Sequence, residues 1–279
     1  MGQIRLSAFA DEYASSLLEQ LEGLARFGID HLELRYVNGK NISVLAEGEL
    51  AELRNRLLDT GIRVSAIGSP LGKIRLDEDL THHLETARRV FEAANLLDTP
   101  FVRVFSFYAP AERPITDCRE EVFAAMDRLL ELAARFGVTL CHENEARIYG
   151  DTPARCRELL DAFAGRLGCV FDMGNFVLEG VEPYTAYELL KKDIAYFHIK
   201  DALFNGAIVP PGCGDARIRE ILSAHTAYAK EDFFVSLEPH LETFSGRNAL
   251  VGRAFENPYK YPDAKAAFAD AVAKLQELI

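Results

Sequence analysis

The sequence predicts a single α/β domain over residues 1–279, folded as a parallel (β/α)8 barrel. Three observations lead there. Short apolar, β-prone runs alternate with longer amphipathic stretches, the order that gives a parallel sheet covered by helices. Eight such cycles can be counted, which is the number that closes a parallel barrel. No Pro/Gly/Ser-rich linker or shift of composition divides the chain, and 279 residues is an ordinary length for one barrel.

The eight strand runs are, in order, Ile4 to Phe9, His31 to Leu34, Val64 to Ile67, Val102 to Phe105, Thr139 to His142, Cys169 to Asp172, Ala195 to Ile199 and Phe234 to Glu238. Between and after them, SLLEQLEGLARF, ELAELRNRLLDT, EEVFAAMDRLLELAARF and DAKAAFADAVAKLQELI carry apolar residues at helical spacing. FGID, TGIRV, FGVTL and RLGCV each set a glycine between a helical pattern and the next strand, where a left-handed helix end is expected. The alternative, an open doubly wound sheet, calls for a glycine-rich phosphate turn after the first strand. AFADEYASS has no glycine there.

Composition narrows the function classes. Hydrophobic residues at 49% and charged residues at 27% describe a globular chain with ample apolar surface for a core. No apolar run approaches the roughly 18 residues of a membrane span, and MGQIRLSAFADEY lacks a basic segment followed by a long apolar one. A cytoplasmic protein without a membrane partner is the expectation. The five cysteines are odd in number and form no CxxC pair, which argues against a disulfide framework or a zinc knuckle. A net charge of −12 opposes nucleic acid, whose binding rests on basic residues neutralising phosphates. The helix faces do not discriminate between a monomer and a homo-oligomer.

Barrel enzymes place their catalytic groups at the C-terminal ends of the strands, so the polar residues closing each apolar run draw attention. The fifth run ends in Glu143 (VTLCHENE), the sixth in Asp172 (CVFDMGN), the seventh in His198 (AYFHIKD) and the eighth in Glu238 (FVSLEPH). Three carboxylates and one imidazole make a mostly oxygen site suited to one divalent ion, Mn²⁺, Mg²⁺ or Co²⁺, with Zn²⁺ also compatible. Converging carboxylates without a cation would repel and raise one another's pKa. Glu145 competes with Glu143, which stands nearer the strand end.

Strand alternation puts Lys200 on the inward face with His198. There it serves either a substrate oxygen or an acid such as Glu238. Glu33 shares its face with His31 and Arg35, and either binds a substrate hydroxyl or pairs with Arg35. His142 should face the helices. His240 and the segment VPPGCGDARI are candidates for the same mouth, with Gly212 and Gly214 permitting close backbone approach and Asp215 alternatively capping the next helix.

At these residues the sequence resembles the xylose isomerase-like TIM-barrel superfamily, in particular its sugar phosphate isomerase/epimerase group, which includes tagatose epimerase, hydroxypyruvate isomerase and inosose dehydratase. HLELR, VTLCHEN, FDMGN, HIKD and VSLEPH carry the likeness, the FDxGN and HxKD pieces most specifically. The resemblance implies that Glu143, Asp172, His198 and Glu238 bind the metal and that Glu143 and Glu238 double as the acid/base pair. It puts Glu33 and Lys200 on the substrate side. GCGD, with Cys213, departs from the frequent GEGD pattern of that loop.

The implied partner is a small carbohydrate, and the implied reaction is proton transfer α to a carbonyl through an enediolate. Dehydration of a polyol ketone on the same scaffold is the main alternative, with a non-catalytic sugar-binding protein behind it. A nuclease of the same superfamily would need several zinc ions and more than the seven histidines present.

Overall fold

The computed structural model describes residues 2–241 and 259–279. Its centre is a closed barrel of eight parallel strands. They are β1 (Ile4–Ala8), β2 (His31–Leu34), β3 (Arg63–Ile67), β4 (Phe101–Val104), β5 (Thr139–Glu143), β6 (Leu167–Asp172), β7 (Ile194–Ile199) and β8 (Phe233–Leu237). Sequential strands are neighbours around the ring, and β8 closes it against β1 with Ile4 opposite Phe233 through Ala8 opposite Leu237. Each of the eight predicted runs is a barrel strand, with ends shifted by at most two residues.

The helices α1 (Leu17–Phe27), α2 (Glu47–Thr60), α3 (Leu80–Leu96), α4 (Arg119–Phe136), α5 (Pro153–Ala162), α6 (Met173–Leu178), α7 (Pro183–Leu190), α8 (Ile218–Tyr228) and α9 (Ala264–Gln276) follow the strands. Leu21 and Leu24 of α1 and Leu129 and Ala133 of α4 are buried, showing why the apolar spacing of these segments fixes one face against the sheet. Burying a leucine or phenylalanine this way contributes about 1.5–3 kcal/mol. Gly28, Gly61 and Gly137 end α1, α2 and α4 in the left-handed conformation. In RLGCV the expectation fails. Gly168 lies inside β6, and Gly165, with φ +75°, makes the turn ahead of it.

A second, smaller core fills the barrel itself. Ala66, Cys141, Val170 and Tyr196 pack there with Phe101 and Phe234, forming an apolar floor beneath the C-terminal mouth. Among the described residues no helix is long and apolar enough to cross a membrane.

Two loops at the mouth are braced. A hairpin pairs Tyr36–Val37 with Lys40–Asn41 after β2, and another pairs Asp201–Ala202 with Ile208–Val209 after β7. The buried Asp201 carboxylate accepts hydrogen bonds from the backbone N–H of Ala202, Gly212, Gly214 and Ala216 at 2.8–3.1 Å. The close approach expected of Gly214 is therefore to Asp201, since a Cβ there would sit 2.3 Å from Asp201 Oδ1. Asp215 does not cap α8: its Oδ2 accepts from Phe204 N–H, and the N-cap position of α8 is Arg217, with no side-chain cap.

Candidate metal centre

The strand ends bring together the four residues that the sequence singles out. One ligand atom from each of Glu143, Asp172, His198 and Glu238 lies within 4.8 Å of the others, and all four residues are buried. His198 Nδ1 is 3.1 Å from Glu143 Oε1 and 3.6 Å from Glu238 Oε2. Asp172 also caps α6, accepting from Asn175 N–H at 2.8 Å, so two constraints fix its carboxylate.

Two asparagines lock the ends of β5 and β6 together. Asn144 Nδ2 donates to the carbonyl of Asp172, whose N–H donates back to Asn144 Oδ1. Asn175 Nδ2 donates to the Asn144 carbonyl at 2.9 Å and to Glu143 Oε1 at 3.3 Å. Gly174 leaves room beside them. A Cβ there would fall 2.7 Å from Lys200 O and 2.8 Å from the Lys200 Cβ and Cγ.

Cations surround the acids. Lys200 Nζ is 2.9 Å from Asp172 Oδ2 and 3.3 Å from Glu238 Oε2, and it donates to Asn175 Oδ1 at 3.1 Å. Arg103 Nη1 is 3.1 Å from Glu143 Oε2 and 3.9 Å from Glu238 Oε1. Arg35 reaches Glu238 Oε1 at 2.7 Å and also binds Asp11 and Glu12. His240 Nε2 lies 3.2 Å from Glu12 and 3.3 Å from Glu238. Phe9 supports the basic side, with the Arg35 and Arg103 guanidinium carbons 4.4 and 5.4 Å from its ring centroid.

These charges set the protonation pattern. Burial pushes Glu143 up, but His198 and Arg103 outweigh it and hold its carboxyl down at about 2. Burial likewise opposes the cation at His198, yet Glu33 and Glu143 raise it to about 10. Asp172 goes the other way: burial, only partly offset by Lys200, lifts it to about 6. Glu238 is held well below the usual carboxylate range against its burial by Lys200 and His240.

The donor set suits a hard divalent ion. Glu143 Oε2 and Glu238 Oε2 are buried without a hydrogen-bond donor, although Arg103 and Lys200 stand within ion-pair distance. Their lone pairs are thus open to a cation. The cluster opens on a cavity of about 500 Å³, whose walls include Arg35, Lys73, Arg103, Glu145, Lys200 and His240.

The remaining sequence candidates fall in different places. Lys200 and His240 line the cavity, and Glu145 stands at its rim, 3.2 Å from Lys73 and outside the four-residue cluster. Glu33 does not reach the substrate side. It is fully buried beneath the cluster, and Arg35, the alternative partner, binds Asp11, Glu12 and Glu238 instead. His142 turns away from the cluster, its Nε2 3.0 Å from Ser106 Oγ. Arg103, Asn144 and Asn175 were missed. The signal for Arg103 was a lone cation in the apolar run FVRVF, and for the asparagines their place beside two acids in HEN and DMGN.

A family model described as a xylose isomerase-like TIM barrel matches residues 21–270. No curated protein sequence matches. Among solved structures, the chain is similar to the probable 3-DHS dehydratase AsbF, involved in petrobactin synthesis, from Bacillus anthracis, with a TM-score of 0.73, 18% identity, and coverage of 100% of this chain and 98% of that one. The 3-keto-D-glucoside 4-epimerase YcjR from E. coli gives a TM-score of 0.71 at 16% identity, over 100% and 99% of the two chains. The IOLI protein, solved with a zinc atom bound, gives 0.74 at 17% identity, over 98% and 97%. At these identities the likeness is one of fold.

Proposed function

This chain belongs to the xylose isomerase-like TIM barrel family, and on that premise we propose that it is a divalent-metal-dependent isomerase or epimerase of a sugar or sugar phosphate, moving a proton α to a carbonyl through an enediolate. The observation that carries the reading is the convergence of Glu143, Asp172, His198 and Glu238 at four successive strand ends, with two carboxylate oxygens open to a cation.

Those four side chains would hold the ion. When bound, it would polarise the substrate carbonyl and stabilise negative charge growing on that oxygen. Glu143 and Glu238 stand three strands apart around the ring. One carboxylate takes the α-proton; in epimerisation the other, protonated from solvent, delivers its own proton to the opposite face of the same carbon, and in isomerisation the group that took the proton gives it to the neighbouring carbon. Lys200 and His240, both lining the cavity, hydrogen-bond substrate oxygens, while the buried Arg103 keeps Glu143 ionised.

The test is a panel of ketoses incubated with the protein in D₂O, with and without chelator, read by NMR for deuterium at the carbon α to the carbonyl. Chelator-sensitive uptake is expected. Uptake indifferent to chelation would remove the metal from the reaction, and release of water without exchange into recovered substrate would make the enzyme a dehydratase.

A further inference from the structure

Glu33 is an expensive residue where it stands. Its carboxylate is fully buried under the cluster and outside the cavity wall, and burying an ionised group uncompensated costs several kcal/mol. Its two oxygens each lie 3.1 Å from His198 Nε2, and Oε1 accepts from Tyr196 OH at 3.0 Å. The strand is built to deliver it there: the β2–β3 register shifts between Leu32 and Glu33, and such irregularities re-aim a side chain. Tyr196 lies two residues before His198 on β7, so both point inward. The edge of the Phe9 ring meets the His198 imidazole at a centroid distance of 5.1 Å and an interplanar angle of 79°, closing its other side.

With Nε2–H donating to Glu33, the nitrogen left to face the cluster is Nδ1, 3.1 Å from Glu143 Oε1 and 3.6 Å from Glu238 Oε2. Without a metal, Nδ1 carries a proton shared with Glu143 Oε1; a divalent ion among the carboxylates would displace that proton and take up the lone pair. We infer that Glu33, braced by Tyr196, is a positioning residue for the metal centre: it fixes the ring orientation and tautomer of His198 so that Nδ1 is presented to the ion. This rests on the metal-binding reading of the four-residue cluster and adds Glu33 and Tyr196 to it as the layer beneath. Groups that hold the far nitrogen of a metal-bound histidine typically change metal affinity about 10–100-fold when removed.

Metal-stripped wild type, Glu33→Gln and Tyr196→Phe, each checked for folding by circular dichroism, would be titrated with cobalt(II) alone. Affinity is read against a competing chelator and ligand geometry by the visible absorption of the bound cobalt. The expected result is one cobalt per wild-type chain, about 10–100-fold weaker binding with an altered spectrum in Glu33→Gln, and a several-fold loss in Tyr196→Phe. If Glu33→Gln does not fold, the Tyr196→Phe result decides. Wild-type affinity and spectrum in the folded variants would overturn the role of Glu33 while leaving the metal centre standing. Failure of the wild type to bind cobalt would overturn the metal centre and this inference with it.

Discussion

Strands β5, β6 and β7 carry Glu143, Asp172 and His198 at or near their ends, and Glu238 follows β8 directly, whereas β1, β2 and β4 lead into Phe9, Arg35 and Phe105, with Arg103 inside β4. One half of the mouth gathers acids; the other supplies guanidinium groups and the rings that support them. A strand end presents few inward side chains, so acids concentrated on neighbouring strands draw countercharges both from Lys200, just past β7, and from the other half of the ring. From that other half Arg35, just past β2, meets Glu238, and Arg103 of β4 meets Glu143 on the adjacent β5. The acidic half is where chemistry is expected, and the basic half joins His198 and Lys200 in keeping its acids ionised.

Removing one acid tests that division most severely. Glu238→Gln should lower turnover by about 10²–10⁴-fold, as loss of a general acid or base does, with the fold retained by circular dichroism. Near wild-type turnover would strip Glu238 of its role.

The basic half should answer in stability. Arg103→Met leaves Glu143 buried beside one cation fewer, and breaking a buried pair from one side costs about 3–5 kcal/mol. Urea unfolding of the metal-stripped protein should show that loss, and added Mn²⁺ should recover part of it by binding only the folded state. Equal loss with and without Mn²⁺ would mean that Arg103 and the metal do not share Glu143.

Asp201→Ala probes a carboxylate of the mouth that has no place in the cluster. It orphans backbone donors now held by Asp201 and should cost about 3 kcal/mol in urea unfolding, with unchanged cobalt affinity. A large fall in affinity would tie that loop to the metal centre.

A pair of histidines sharpens the contrast further. His198, among acids, is held up at about 10, while His225, packed against Phe197, Phe233 and Tyr187, is pushed down to about 4 by burial. Because the folded value of His225 lies below the unfolded one near 6.5, the unfolded state takes up its proton first as pH falls. Stability from this group is complete above about pH 6.5 and lost as pH falls towards 4. His225→Phe should therefore flatten the dependence of urea stability on pH between 7.5 and 5; an unchanged slope would assign that dependence elsewhere.

The strands were legible because a parallel barrel buries both faces of each, leaving uninterrupted apolar runs. The acids were legible because they break those runs at their ends. What stayed hidden depends on depth and on distance along the chain. Alternation told that Glu33 faces inward, but not that the irregularity after Leu32 sets it beneath His198. Arg35 was read against its near neighbour Glu33, while its contact with Glu238 spans 203 positions. Arg103 passed as strand interior because its partners lie on other strands.

Gly174 gives the acidic half an unexpected point of fragility. The stem of Lys200 rests against its bare α-carbon, and Lys200 in turn ties Asp172 to Glu238. A single methyl group at position 174 would act as a wedge, lifting the ammonium group and untying both carboxylates at once. A substitution small on paper would thus reach the centre from a residue that bears no functional group, and the glycine of FDMGN, inside α6, serves as reserved space.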